Sequence, residues 1–151
     1  VLGVDYGAKR IGLALSDYTG SLARPWQMVP AGGHPRAAAE AVSRVVAALR
    51  TSGDPDLDHI VVGLPRRLNG DDTEQTPVVR QFAALLAEMT GLPVDTQDER
   101  LTSVEAESRL ALREPDWRKR KALIDAEAAS ILLQDYLDAR SRADEHLRGR
   151  R

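Results

Sequence analysis

The sequence has no cysteine, a single phenylalanine and only 4% aromatic residues. Without cysteine there is no disulfide framework, no thiolate nucleophile and no cysteine-based zinc site. No apolar run is long enough to cross a bilayer, so no membrane-spanning segment is expected. An excess of either charge is also missing. With 21 basic and 23 acidic residues the formal net charge is -2, so any claim of a nucleic-acid partner must rest on local patches. The chain opens directly on an apolar strand pattern, without the basic and apolar regions of a signal peptide, and its start at Val1 rather than Met leaves the true N-terminus open. A reducing cytoplasm is the compartment these absences suggest. What is present suffices for one hydrophobic core, since 151 residues are an ordinary length for a single domain.

The patterning predicts an α/β chain. Leu2 and Val4 alternate with Gly3 and Asp5, Gly7 marks a turn, and Ile11, Leu13 and Leu15 alternate with Gly12, Ala14 and Ser16, which is a β-hairpin signature. Ala23 to Val29 is a third strand, placed at a sheet edge by Pro25. From Pro35, Ala38, Ala41, Val42, Val45 and Leu49 recur at helical spacing until Gly53 and Pro55. Ile60 to Leu64 is a continuous apolar run, the mark of a strand covered on both faces, and a Gly- and Asp-rich loop follows it. Thr76 to Thr90 predicts a second helix and Pro93 to Gln97 a short strand. Thr102 with Glu105 has the spacing of a capping box opening a third, short helix. The charged stretch Arg113 to Lys121, interrupted by Pro115, predicts a loop, and Ala122 to Ala139 the last helix, with Asp125 in its first turn. Residues 1–139 form one domain, and 140–151 a polar C-terminal tail expected to fray. Such an order implies a mixed sheet with helices on its faces and the first strand near its centre.

Asp5 is the residue that fits this scheme least easily. A carboxylate on a central strand costs free energy unless a cation or hydrogen-bond donors stand beside it. Asp98 and Glu99 end a later strand, at the edge where open α/β sheets bind ligands. Asp125 lies among Ala128, Ala129 and Leu132, a face that should pack closely on the sheet. Acids from three elements thus converge, and mutual repulsion is relieved by raised pKa values or by hard cations with oxygen ligands. With neither His nor Cys among them, Mg²⁺ or Mn²⁺ fits better than zinc. A pair of such ions serves in-line attack on a phosphodiester. Lys9, Arg10, Arg66, Arg67, Arg100, Arg118, Lys119, Arg120 and Lys121 then read as phosphate contacts, although for any one of them alone a solvated surface charge is the favoured reading. Likewise Asp125 alone reads as a charge at a helix N-terminus, and Arg100 as a partner for Glu99.

Four segments, GVDYGAKRIGLALSD, VVGLPRRLNG, DERLTSVEAE and IDAEAASILLQDYLD, together resemble the YqgF/RuvX family of pre-16S rRNA nucleases and Holliday-junction resolvase-like proteins. The resemblance implies an RNase H-like fold with a mixed five-stranded sheet and helices on both faces, and a Mg²⁺- or Mn²⁺-dependent endonuclease of a bacterial cytoplasm. It marks Asp5, an acid of the Asp98-Glu99-Arg100 segment and Asp125 as the site, and leaves open whether Asp98 or Glu99 is the metal ligand; we take Glu99 as the catalytic acid. The substrate it implies is precursor rRNA cut at its 5′ end or a four-way DNA junction. Resolving a junction takes two symmetric cuts and hence a homodimer. Two other readings compete. GVDYGAKRIGLAL also resembles the phosphate-binding hairpin of actin-like ATPases and sugar kinases, which need two such domains to enclose a nucleotide. The third is a non-catalytic RNA- or ribosome-binding module.

Overall fold

The computed structural model describes residues 1–53, 56–99 and 102–150, and leaves the side chains of 102–107, 121 and 122 undescribed. Pro55 and Arg100 therefore lie outside the described residues, as do the side chains of the Thr102/Glu105 capping box and of Lys121. Five strands form one sheet: β1 (Leu2–Tyr6), β2 (Arg10–Ser16), β3 (Ala23–Pro30), β4 (Ile60–Leu64) and β5 (Val94–Asp98). Their order is β3-β2-β1-β4-β5, so β1 is central. β2 pairs with β1 and β3 antiparallel, whereas β4 runs parallel to β1 and β5 parallel to β4. It is the mixed five-stranded sheet expected from the sequence. β3 is indeed an edge strand, and Pro25 sits at a register shift where Trp26 is the extra residue between the partners of Leu13 and Ala14.

The four helices are α1 (Pro35–Ser52), α2 (Thr76–Thr90), α3 (Thr102–Arg113) and α4 (Trp117–Gly149). Strand parity decides which of them each face receives. Leu2, Val4, Ile11, Leu13, Ile60, Val62 and Leu64 pack with α1 and α2 residues such as Val42, Val46, Phe82 and Leu86. The opposite face offers small side chains, and there Ala14 and Val61 pack with Ala129, Leu132, Leu133 and Leu137 of α4. Small residues let a helix approach a sheet closely, and a β-carbon added to Gly3 would stand 2.8 Å from Leu133 Cβ.

Two expectations about α4 are corrected. Only Glu114 to Asp116 lies between α3 and α4, because Asp116 caps the helix by accepting a hydrogen bond from Arg118 N at 3.0 Å. Pro115 stands before that cap, where it breaks no helical hydrogen bond. Asp125 consequently lies in the third turn of α4, so the helix-terminus reading of its charge fails. Beyond Ala139 the helix continues to Gly149, since this stretch contains neither proline nor internal glycine to stop it.

Candidate active site

Asp5 shares its parity with Gly3 and so belongs to the face covered by α4. Its neighbours on both sides are glycines: Gly12 pairs with it on β2, and Gly63 on β4 follows Val62, the partner of Val4. Each glycine makes room for one further acid. A β-carbon at Gly12 would collide with the carbonyl of Asp125, and one at Gly63 with the carboxylate of Glu99. Backbone contact with β2 thus seats Asp125 on one flank of Asp5, and Glu99, leaving the end of β5, lies over β4 on the other. The Glu99 amide is tied to Leu64 O at 3.3 Å.

Asp5 and Glu99 are hydrogen-bonded to each other. Burial, with the Asp5 charge next, pushes the Glu99 carboxyl up to about 10. Asp5 is also raised, mainly by burial and further by Asp125, while the Glu99 hydrogen bond acts the other way. One proton held between the two carboxyls is the physical meaning of this pair. Burial raises Asp125 as well, and Arg10, whose Nε lies 3.4 Å from Asp125 Oδ2, opposes it. Asp98 is exposed at the end of β5 and acts on Glu99 through its charge. Among the described residues no three His, Cys, Asp or Glu side chains stand in a ready-made cage for an ion. The donor set still suits a hard divalent cation: all its donors are oxygens, and the convergence of mutually repelling carboxylates is relieved by such a cation.

The predicted basic residues divide into three groups. Lys9 and Arg10 are exposed in the β1–β2 turn next to the acids. Arg66 is held elsewhere, bonding Gly70 O at 3.1 Å and Asp72 Oδ1 at 3.0 Å within its own loop, where Arg67 is exposed. Arg118 and Lys119 are exposed in the first turn of α4, and Arg120 closes the end of α3 by bonding the carbonyls of Glu114 and Pro115 at 3.0 and 2.9 Å.

Sequence reasoning missed two clusters. Glu127, only 1% exposed, binds Arg113 at 2.5 Å and faces Arg109 at 3.3 Å, joining α4 to α3. A charged residue amid the alanines of 126–129 was the available signal. At the sheet's other edge the Tyr136 hydroxyl donates to Asp95 Oδ2 at 2.8 Å, and His59 Nε2 lies 2.8 Å from the same oxygen. Those bonds, Tyr136 first, hold the Asp95 carboxyl below its usual range and pin the middle of α4 to β5.

Fold and site together define an α/β domain with a cluster of carboxylates at the C-terminal edge of its central strands. The chain belongs to the RuvX family, whose profile, described as "Holliday junction resolvase", matches residues 1–139. It is 41% identical to a protein of Chloroflexus aggregans named "Putative pre-16S rRNA nuclease", over 93% of this chain and 94% of the relative. A relative of the same name from Pelotomaculum thermopropionicum is 39% identical over 94% of this chain and 88% of its own. Among solved structures, T. thermophilus RuvC in complex with a Holliday junction substrate is similar at 17% identity and a TM-score of 0.48, covering 93% of this chain and 94% of that one.

Proposed function

We propose that this protein is a metal-dependent endonuclease that hydrolyses phosphodiester bonds of structured nucleic acid in the cytoplasm. The observation that carries the reading is the convergence of three acids at the C-terminal edge of the central strands, Asp5 on β1 with Glu99 lying over Gly63 and Asp125 seated against Gly12 on its two sides. Asp5, Glu99 and Asp125, with Asp98 at the rim, would hold Mg²⁺ or Mn²⁺. When bound, such ions supply an activated water and neutralise the leaving oxygen. The chain's own part is to keep the acids rigid and to bring a phosphate to them. Asp5 is fixed by a central strand and Asp125 by backbone contact, so neither reorganises as the substrate arrives. Lys9 and Arg10 in the first hairpin, and Arg118 and Lys119 in the first turn of α4, are exposed cations that can pair with the flanking phosphates. Arg10, held at the rim by Asp125, can pass from that carboxylate to an incoming phosphate.

The names carried by relatives and family supply two substrates to compare, precursor rRNA of the small subunit and a four-way DNA junction. Purified protein incubated with labelled forms of both, with Mg²⁺, Mn²⁺ or EDTA, tests the reading beside Asp5→Asn. Cleavage should require the divalent ion and fall at least about 100-fold in the variant, the scale on which loss of one positioned charged group falls. Equal rates for the two proteins would remove the reading's central support. A homodimer is required only if the junction is the substrate.

A further inference from the structure

The α3–α4 tip carries an aromatic side chain that the fold does not use. Trp117 is 61% exposed, and the Arg118 guanidinium lies over its ring, 5.4 Å from the centroid. Leu112, in the last turn of α3, is 89% exposed. An exposed apolar group of this size, ringed by charge, marks a surface that another molecule covers. The charges around it are cationic. Arg118, Lys119 and Arg120 occupy the first turn of α4, which contains no acidic residue. Cations there oppose the helix dipole and weaken the helix itself, whereas an anion would be favoured. The neighbouring acids are engaged locally, with Asp116 capping α4 and Glu114 accepting from the Asp116 amide at 3.1 Å.

Position relates this surface to the acids. α4 touches β2 at Asp125 and Gly12, and the first two turns of the helix precede that contact. Arg118 is seven residues before Asp125 and lies on the same stripe of the helix, about 10 Å away along the axis. Trp117 stands about 12 Å from Asp125 along the helix axis, a rise of about three or four nucleotides in a stacked strand.

We propose that Trp117 is a stacking platform for an unpaired nucleobase, with Arg118 and Lys119 holding the adjoining phosphates. The substrate would then carry a single-stranded segment a few nucleotides from the scissile bond. This rests on the nuclease reading and narrows its substrate class to nucleic acid with unpaired bases next to the cut.

The protein has two tryptophans, Trp26 and Trp117, so Trp26→Phe leaves Trp117 as the only indole reporter. In EDTA, where no cleavage is expected, this variant is titrated with a blunt duplex and with the same duplex bearing a single-stranded end of about four nucleotides, in RNA and DNA forms. Trp117 fluorescence should be quenched by the single-stranded end and not by the blunt duplex. In labelled-oligonucleotide anisotropy, Trp117→Ala should bind the single-stranded end about 10- to 100-fold more weakly, and Trp117→Phe should retain most of the affinity. If Trp117→Ala binds both forms as its parent does while Asp5→Asn still abolishes cleavage, the platform is wrong and the nuclease reading stands. Quenching that follows protein concentration alone, without nucleic acid, would assign the surface to a second copy of the chain and overturn the proposal. If neither form is bound or cleaved, both readings fall together.

Discussion

Asp5 and Glu99 would both be anions in water, yet here they share a hydrogen bond. A carboxyl whose pKa rises on folding gains a proton as the chain folds. Its contribution is complete below the unfolded pKa and is lost as pH climbs to the folded value. For Glu99 that window runs from 4.5 to about 10. In EDTA the melting temperature should therefore fall as pH rises through this range, and Glu99→Gln should flatten the slope. Thermal unfolding at several pH values checks this, and parallel curves for the two proteins would refute the shared proton. Asp5 was legible in the sequence because aspartate is rare in central strands. Gly12 and Gly63 were not, since a strand glycine looks alike whether it receives a carboxylate or nothing. Which of Asp98 and Glu99 turns toward Asp5 likewise needed the fold, because Glu99 lies over Gly63 while Asp98 is exposed.

At the scale of elements, α3 follows the Asp98-Glu99-Arg100 segment and is fastened to α4 through Glu127. Arg109 and Arg113 are half-exposed, whereas the Glu127 side chain is buried and its Oε1 has no hydrogen-bond donor among the described residues. The two sides of this pairing should respond unequally to substitution. Removing both arginines leaves a buried charge uncompensated and should destabilise by about 3–5 kcal/mol, whereas Glu127→Leu frees two arginines that can reach water and should cost about 1 kcal/mol or less. Urea unfolding of Arg109→Ala/Arg113→Ala beside Glu127→Leu measures the difference. No local pattern announces such a buried pair, because its partners lie in different helices. The helix boundary at Trp117 was readable in principle from Asp116, but Pro115 and the crowded charges argued for a loop.

For the whole molecule, the sheet has a bulky side toward α1 and α2 and a slim side toward α4. That division was already written in alternation, with Leu, Ile and Val at one parity and Gly or Ala at the other through the first hairpin. The far end of α4 contributes little to this packing. Residues 140–149 are exposed throughout, and Arg140, over the Tyr136 ring of its own helix at 5.8 Å, reaches toward Gly20 and acts on Asp95 through its charge, so that its cation–π contact stands for the scale of the loss. A chain ending at Ala139 should lose no more than about 1 kcal/mol, the scale of that cation–π contact, and should keep its cleavage rate. Melting temperature and the junction and rRNA assays test both halves. A collapse of the shortened chain would show that 1–139 is too small a unit.

The contact of α4 with β2 at Asp125 has a consequence for how such a site can vary over time. Where side chains set the distance between a helix and a sheet, each change of volume in the core shifts the helix. Here backbone meets backbone at Gly12. Asp125 is therefore indexed by a stop that carries no side chain to vary. Core residues elsewhere can drift, and the connection before Trp117 can lengthen or shorten, without moving that carboxylate relative to Asp5. The α3–α4 tip is thus free to diversify while the acids stay where they are.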